Sequence, residues 1–167
     1  MNKVYDVLAT DWGYAVAVWS PRGLWELTFP RPDAATALAE VTTEAVANSD
    51  TTLAEQLLQE LKLYYTGYRV EFGVPIDWSG YTPFQAAVLR YTASIHYSEV
   101  TTYGQVAAAI GAPRASRAVG GALHINRTPV VVPCHRVLGA AGKLGGFGGG
   151  LELKRALLLL EQGVAAV

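Results

Sequence analysis

The chain is poor in the residues that build staples and metal cages. It has one cysteine, Cys134, and 3 histidines. A single thiol excludes an intramolecular disulfide and any metal site made from a cysteine cluster. No cysteine- or histidine-rich zinc pattern occurs, so the sequence implies neither a metal nor a cofactor. Charged residues make up only 16%, and apolar runs are short. None approaches the roughly 20 residues that a membrane-spanning helix needs. Residues 1–11 already mix polar and apolar side chains, unlike the basic-then-apolar opening of a signal peptide. These shortages point to a soluble protein of the cytoplasm, or of the nucleus in a eukaryotic cell.

What is present is a well-supplied core. Of 167 residues, 51% are hydrophobic, enough for one large domain or two small ones. The net charge of −1 conceals an imbalance. Residues 1–78 carry 5 basic and 11 acidic side chains, whereas residues 79–167 carry 8 basic and 3 acidic. A basic half beside an acidic half suggests that only the second meets a polyanion. Chance segregation of solvated charge is the competing explanation.

The first half, 1–78, reads as an α+β supporting domain. Tyr14–Trp19 and Leu24–Phe29 are strand-like and flank the turn residues Ser20-Pro21-Arg22-Gly23, which predicts a hairpin. Val4–Ala9 adds a neighbouring strand. Asp33 is placed to cap a helix running to about Ala47. Leu53, Leu57, Leu58, Leu61, Tyr64 and Tyr65 recur at helical spacing and predict a helix over 52–65, stopped by Gly67. Val70–Ile76 is a short extended piece. No cluster of catalytic groups stands out in this half.

The second half, 79–167, changes character. Thr82-Pro83-Phe84-Gln85 is a capping-box pattern with proline at the first helical position, opening a helix to about His96. Thr102-Tyr103-Gly104-Gln105 repeats the pattern for a shorter helix through Ile110. Gly111-Ala112-Pro113 breaks it, and a further helix runs from Arg114 or Ala115 to about Leu123. Two short helices joined by a tight turn fit a helix-turn-helix or an ordinary helical hairpin. The later helix reads Arg114-Ala-Ser116-Arg117-Ala118-Val-Gly120-Gly121. Each interior glycine costs about 1 kcal/mol relative to alanine. The small, arginine-flanked face suits either the minor groove of DNA or tight packing on the protein's own core.

Cys134 lies in Pro129-Val-Val-Val-Pro133-Cys134-His135-Arg136-Val137. Three β-branched residues favour a buried strand that ends at Pro133. A thiol at that point is either an inert core residue or a nucleophile whose pKa is lowered by an imidazole, a cation or a helix N-terminus.

Together, Ser116-Arg-Ala-Val-Gly-Gly121, Asn126 and Pro133-Cys-His-Arg-Val137 resemble the O6-alkylguanine-DNA alkyltransferase family of direct-reversal repair proteins. The likeness covers about Thr82 to Glu161; the first half agrees only in size and in its strand-then-helix order. The resemblance implies an N-terminal three-stranded antiparallel sheet with helices, ribonuclease-H-like in shape only. It also implies a mostly helical, winged-helix-like C-terminal domain. The activity implied is a single, irreversible transfer of a methyl or larger alkyl group from O6-alkylguanine, and from O4-alkylthymine, to Cys134. The partner implied is double-stranded DNA held through its minor groove by a monomer able to bind cooperatively.

The same resemblance implies roles for individual residues. His135 relays the thiol proton through a water, and Glu161 orients His135. Tyr103 donates to the ring N3 of the leaving guanine, and Asn126 holds the turn before the cysteine. Arg117 enters the stack where the flipped base was, while Thr102, Arg114, Ser116, Ala118, Gly120 and Gly121 complete the DNA face. Pro129, Leu123, Phe147 and Gly148 line the base pocket, and the Cys134 and Val137 carbonyls accept from the guanine 2-amino group. Phe147 departs from the family, which usually has tyrosine there. A cysteine hydrolase and a non-catalytic binder of alkylated bases are the competing readings.

Overall fold

The computed structural model describes residues 2–163. The chain folds as two compact units that divide between Trp78 and Ser79.

The first unit is built on a sheet in the order β3-β2-β1-β4. Strands β1 (Lys3–Thr10), β2 (Gly13–Ser20) and β3 (Gly23–Leu27) form an antiparallel meander. β2 is central, and Ala15 to Trp19 are all buried. Burial on both faces is why this strand reads as a continuous apolar run rather than an alternating one. Helix α1 (Ala34–Ala39) packs on β2 and helix α2 (Thr52–Tyr65) on β1. α2 spans the residues its periodicity predicts, with Leu57, Leu61, Tyr64 and Tyr65 inward and Leu53 left exposed.

Two departures from the sequence reading have one cause. Asp33 does cap α1, accepting from the Thr36 amide at 2.7 Å. The helix stops at Ala39, however, instead of continuing to Ala47. Glu26 is buried on β3 and needs donors. It accepts from the Thr42 amide (2.9 Å) and from the hydroxyls of Thr42 (3.0 Å) and Thr43 (2.7 Å). Those bonds draw the chain out of the helix and onto the sheet. Ala45–Ala47 becomes β4, parallel to β1 at the sheet edge. A fourth, parallel strand is thus added to the three antiparallel ones. In Val70–Ile76 the extended piece reaches the sheet only as an isolated bridge between Ile76 and Leu24.

The second unit is mostly helical. α3 (Pro83–Ala93), α4 (Tyr103–Ala109) and α5 (Ser116–His124) pack on one another around Val88, Leu89, Val106, Ala107, Val119 and Ala122. Both capping boxes form: Thr82 and Gln85 bond reciprocally, as do Thr102 and Gln105. α3 ends at Ala93, three residues earlier than expected, where the amides of Ser94 and Ile95 turn back onto Tyr91 and Thr92. α4 and α5 are joined through Gly111, whose φ of +81° suits the residue that ends a helix. A two-residue parallel ladder links β5 (Thr101–Thr102) to β6 (Val137–Leu138), and α6 (Leu151–Glu161) follows.

No strand forms at Val130–Val132. Val130 has φ +73° and lies in a tight turn closed by the Val132 amide on the Thr128 carbonyl (2.9 Å). The Asn126 side chain takes the place of a neighbouring strand. Its Nδ2 donates to Val132 O (2.9 Å), and its Oδ1 accepts from the Thr128 amide (3.1 Å). A β-branched residue at positive φ costs on the order of 1–3 kcal/mol. The bonds to Asn126 and the burial of all three valines hold it there.

A stability test separates local from tertiary constraint. Gly23 has φ +137°, and a Cβ there would sit 2.4 Å from the Pro75 carbonyl oxygen. Gly23→Ala is expected to cost at least ~2 kcal/mol in chemical denaturation, through strain and clash together. Thr82→Ala, which removes only a cap, should cost about 1 kcal/mol. Equal losses would show that the chain near Pro75 yields freely.

Candidate active site

Pro133 hands the chain to a one-turn 3-10 helix, Cys134–Arg136. The turn is pinned at both ends, by the Cys134 amide on Val132 O (2.8 Å) and the Arg136 amide on Pro133 O (3.0 Å). Cys134, His135 and Arg136 are all buried. The Cys134 side chain reaches the floor of a cleft of about 480 Å³, within the usual range for small-molecule sites. One wall is the α5 face of Ser116, Arg117, Gly120, Leu123 and His124. Tyr103 from α4 and the loop Gly146-Phe147-Gly148 form the rest.

The residues singled out from sequence distribute as follows. Cys134, Tyr103, Ser116, Arg117, Gly120, Leu123, Phe147 and Gly148 meet at the cleft. Arg117, Ala118 and Gly121 are exposed on α5, Arg114 lies just before it, and Val119 and Ala122 face the core. Cβ atoms built on Gly120 or Gly121 would meet nothing within 4 Å. The paired glycines are therefore not packed against the protein's own core. Thr102 caps α4. Pro129 and Val137 are buried, in the turn and in β6, and are not part of the cleft wall. The Val137 carbonyl accepts from Lys154, and the Cys134 carbonyl from the Val137 amide.

Behind the thiol lies a sealed ionic cluster. Glu161, at the end of α6, meets His135 Nε2 through Oε2. Arg136 holds the same carboxylate with Nε on Oε1 (2.8 Å) and Nη2 on Oε2 (3.2 Å). The Ser98 amide adds a bond to Oε1 at 3.1 Å. Burial alone would raise the Glu161 carboxyl, but the hydrogen bonds and charges of His135 and Arg136 outweigh it and hold it at about 2. His135 is lowered as well. Its complete burial pulls it below the ordinary imidazole value, against the pull of Glu161. A neutral ring facing a carboxylate must donate from Nε2, which leaves the buried Nδ1 as its basic atom.

The thiol differs from the lowered pKa considered from sequence. Burial pushes Cys134 up, and the Asn126 side chain and the Lys154 charge offset this only in part. Cys134 therefore holds its proton at rest. Tyr103 is also raised, by burial and then by the nearby thiol, so its hydroxyl remains a donor. A Cβ at Gly145, whose φ is +69°, would lie 2.5 Å from the Tyr103 hydroxyl. Glycine there lets the loop close on the ring.

Sequence reasoning passed over Lys154. Its side chain is fully buried. Its ammonium donates to the carbonyls of Val137 (2.8 Å), Leu144 and Gly146 (3.3 Å), which ties the glycine-rich loop to α6. The signal was available: residues 154, 157 and 161 share one helical face, so burying Glu161 also turns Lys154 inward. His124 in the cleft wall was likewise unremarked.

The cluster makes stability pH-dependent. Both shifted groups bind protons less readily folded than unfolded, so both stabilise the fold at higher pH. Stability should begin to fall as pH drops below 6.5, the ordinary value for His135. It should fall further below 4.5, the ordinary value for Glu161, until the folded carboxyl protonates near 2. The Glu161 share is on the order of 3 kcal/mol. Glu161→Gln should destabilise the protein by about 3–5 kcal/mol at pH 7 and flatten the fall between pH 4.5 and 2 in acid-unfolding curves. An unchanged acid limb in that variant would refute this account.

The family model described as 6-O-methylguanine DNA methyltransferase, DNA binding domain, matches residues 83–163. The methylated-DNA–protein-cysteine methyltransferase of Mycobacterium tuberculosis is 49% identical over 105 residues, which span 63% of this chain and 63% of that protein. The protein of the same name from Methanosarcina barkeri is 33% identical over 158 residues, covering 95% of this chain and 96% of its own. The crystal structure of Mycobacterium tuberculosis OGT in complex with DNA superposes with a TM-score of 0.80 at 34% identity, over 97% of this chain and 95% of that one. With likeness at that level running through both units, this chain belongs to the methylated-DNA–protein-cysteine methyltransferase family.

Proposed function

We propose that the protein repairs DNA by moving a methyl or larger alkyl group from O6 of guanine, and from O4 of thymine, irreversibly to Cys134. The observation that carries this reading is the position of the chain's only thiol. It forms the floor of a base-sized cleft between a glycine–arginine helix face and a glycine-rich loop, with a His135–Glu161 pair behind it. In the reaction the S–C bond forms as the C–O6 bond breaks. The thiol proton leaves through a bridging water to His135, whose imidazolium Glu161 stabilises. The bonding pair left on O6 moves into the ring, which takes a proton from the Tyr103 hydroxyl at N3. Tyr103 regains its proton from His135, so the thiol proton ends on the departing base. No group restores the thiol, and each molecule reacts once.

The surrounding residues divide the binding. Arg117 fills the gap left by the flipped base, offsetting an unstacking cost of a few kcal/mol. Gly120 and Gly121 let the duplex backbone approach α5 through the minor groove, with Thr102, Arg114, Ser116 and Ala118 beside them. Phe147 stacks on the base, Leu123 bounds the pocket, Pro129 supports it from the buried turn behind, and the Gly148 amide points to O6. The Cys134 and Val137 carbonyls each keep a second lone pair for the 2-amino group. Asn126 holds the turn that aims the thiol. The protein acts as a monomer on duplex DNA.

Mass spectrometry after incubation with O6-methylguanine DNA tests the reaction. One methyl mass on the peptide containing Cys134 is expected. Unchanged mass with retained binding would make the protein a binder only. Cys134→Ser should abolish transfer while damaged-DNA binding persists.

Arg117→Ala should slow repair in duplex DNA more than reaction with free O6-benzylguanine, since the free base needs no flipping. Equal losses would place Arg117 outside base flipping. Affinity for undamaged duplex should fall with salt at a log–log slope of about −0.9 per phosphate contact. Arg114→Ala should shrink that slope by about one contact and Arg22→Ala should not. Equal effects would move the DNA surface away from the basic half.

A further inference from the structure

We propose that Arg136 is a positioning residue for alkyl transfer: its paired hydrogen bonds keep Glu161 a carboxylate aimed at His135, so that the thiol proton is taken up by His135 and never passes to Glu161. The proposal rests on the transfer reaction just described and names what holds its first proton acceptor in place.

Among the described residues, at least four donors meet one carboxylate. Oε1 accepts from Arg136 Nε at 2.8 Å and from the Ser98 amide at 3.1 Å. Oε2 accepts from Arg136 Nη2 at 3.2 Å and from His135 Nε2. Four donors occupy the four lone-pair directions a carboxylate offers. A proton on either oxygen would have to displace one of them. Arg136 is itself fixed, with Nη1 on the Ile95 carbonyl at 2.7 Å and its guanidinium 5.7 Å from the Tyr97 ring centre. The bidentate fork defines the carboxylate plane, which a single-point cation cannot do.

Charge leads to the same assignment. The charged groups acting on His135 are Glu161 and Lys154 from α6 and Arg136 from its own turn. With Arg136 present, the Glu161–Arg136 pair is neutral while His135 is neutral. His135 is then an available base when the thiol proton arrives. Without Arg136, the full charge of Glu161 would act on the ring and raise its basicity. His135 would then rest as imidazolium, paired with Glu161 and unable to accept.

The test uses the full chain and two variants, Arg136→Met and Arg136→Lys. Nitrogen NMR of His135 in the wild type should show a neutral ring protonated at Nε2 across neutral pH. In Arg136→Met the ring should titrate at least about one pH unit higher. The acid limb of the methyl-transfer rate should move with it, a loss on the order of tenfold on that limb. Arg136→Lys keeps the charge but not the fork, so its acid limb should stay near the wild-type position at a lower rate. A wild-type ring that is protonated at Nδ1 or charged at neutral pH would overturn the proposal. So would an Arg136→Met protein whose rate falls uniformly with an unmoved profile. If Arg136→Met does not fold, the wild-type spectrum and the Arg136→Lys profile decide, and a Lys variant with a displaced acid limb counts against the proposal. If the wild type gains no methyl mass, the transfer reading fails, while the His135 spectra still judge Arg136.

Discussion

A carboxylate sealed from water and met by at least four donors sits behind the cleft. Glu161 terminates α6, accepts from the backbone after α3, and reaches the turn that carries the thiol. Its burial is tolerable only because Arg136 shares its charge and every oxygen is satisfied. An isolated ion there would cost several kcal/mol. The same bonds fix which nitrogen of His135 faces the carboxylate and which remains basic. Electrostatic balance and proton-path geometry are therefore one property of this cluster.

The resting thiol is held in its neutral form by its own burial. In the proposed transfer the nucleophile is consumed in a single event, and a neutral resting thiol suits that role. A permanently ionised thiolate would react with small electrophiles and oxidants at the mouth of the cleft. Coupling deprotonation to occupancy of the site restricts the loss to productive encounters. Asn126 and Lys154 both favour the thiolate without reversing the effect of burial. The thiol is thus poised, and in the proposed reaction the alkylated base completes the condition.

How much of this could be read from the chain depends on how local each cause is. The capping boxes at Thr82 and Thr102 and the periodicity of 52–65 are signals contained within a few turns of helix, and the elements they announce are present. The strand at Ala45–Ala47 depends on Glu26, nearly twenty residues earlier in the chain, and no local pattern at 40–47 carries that information. At Val130–Val132 the local signal pointed the wrong way. β-branched residues favour strands, but the donors and acceptors of Asn126 closed a turn instead. Cys134 was legible because it is the only thiol, and Glu161 only through the resemblance to the alkyltransferase family. The direction of the Cys134 shift was not, since burial decides it. Lys154 escaped notice because lysine is so seldom buried.

The position of α6 in the chain has a consequence for synthesis. The thiol, its histidine and the arginine beside it are made before α6, which supplies Lys154 and Glu161 afterwards. A nascent chain that has emerged only as far as the glycine-rich loop carries the nucleophile but lacks the carboxylate opposite His135 and the ammonium that gathers the loop carbonyls. Assembly of the reactive centre therefore waits for the docking of a late helix. Chemical competence is then among the last properties the second unit acquires as it folds.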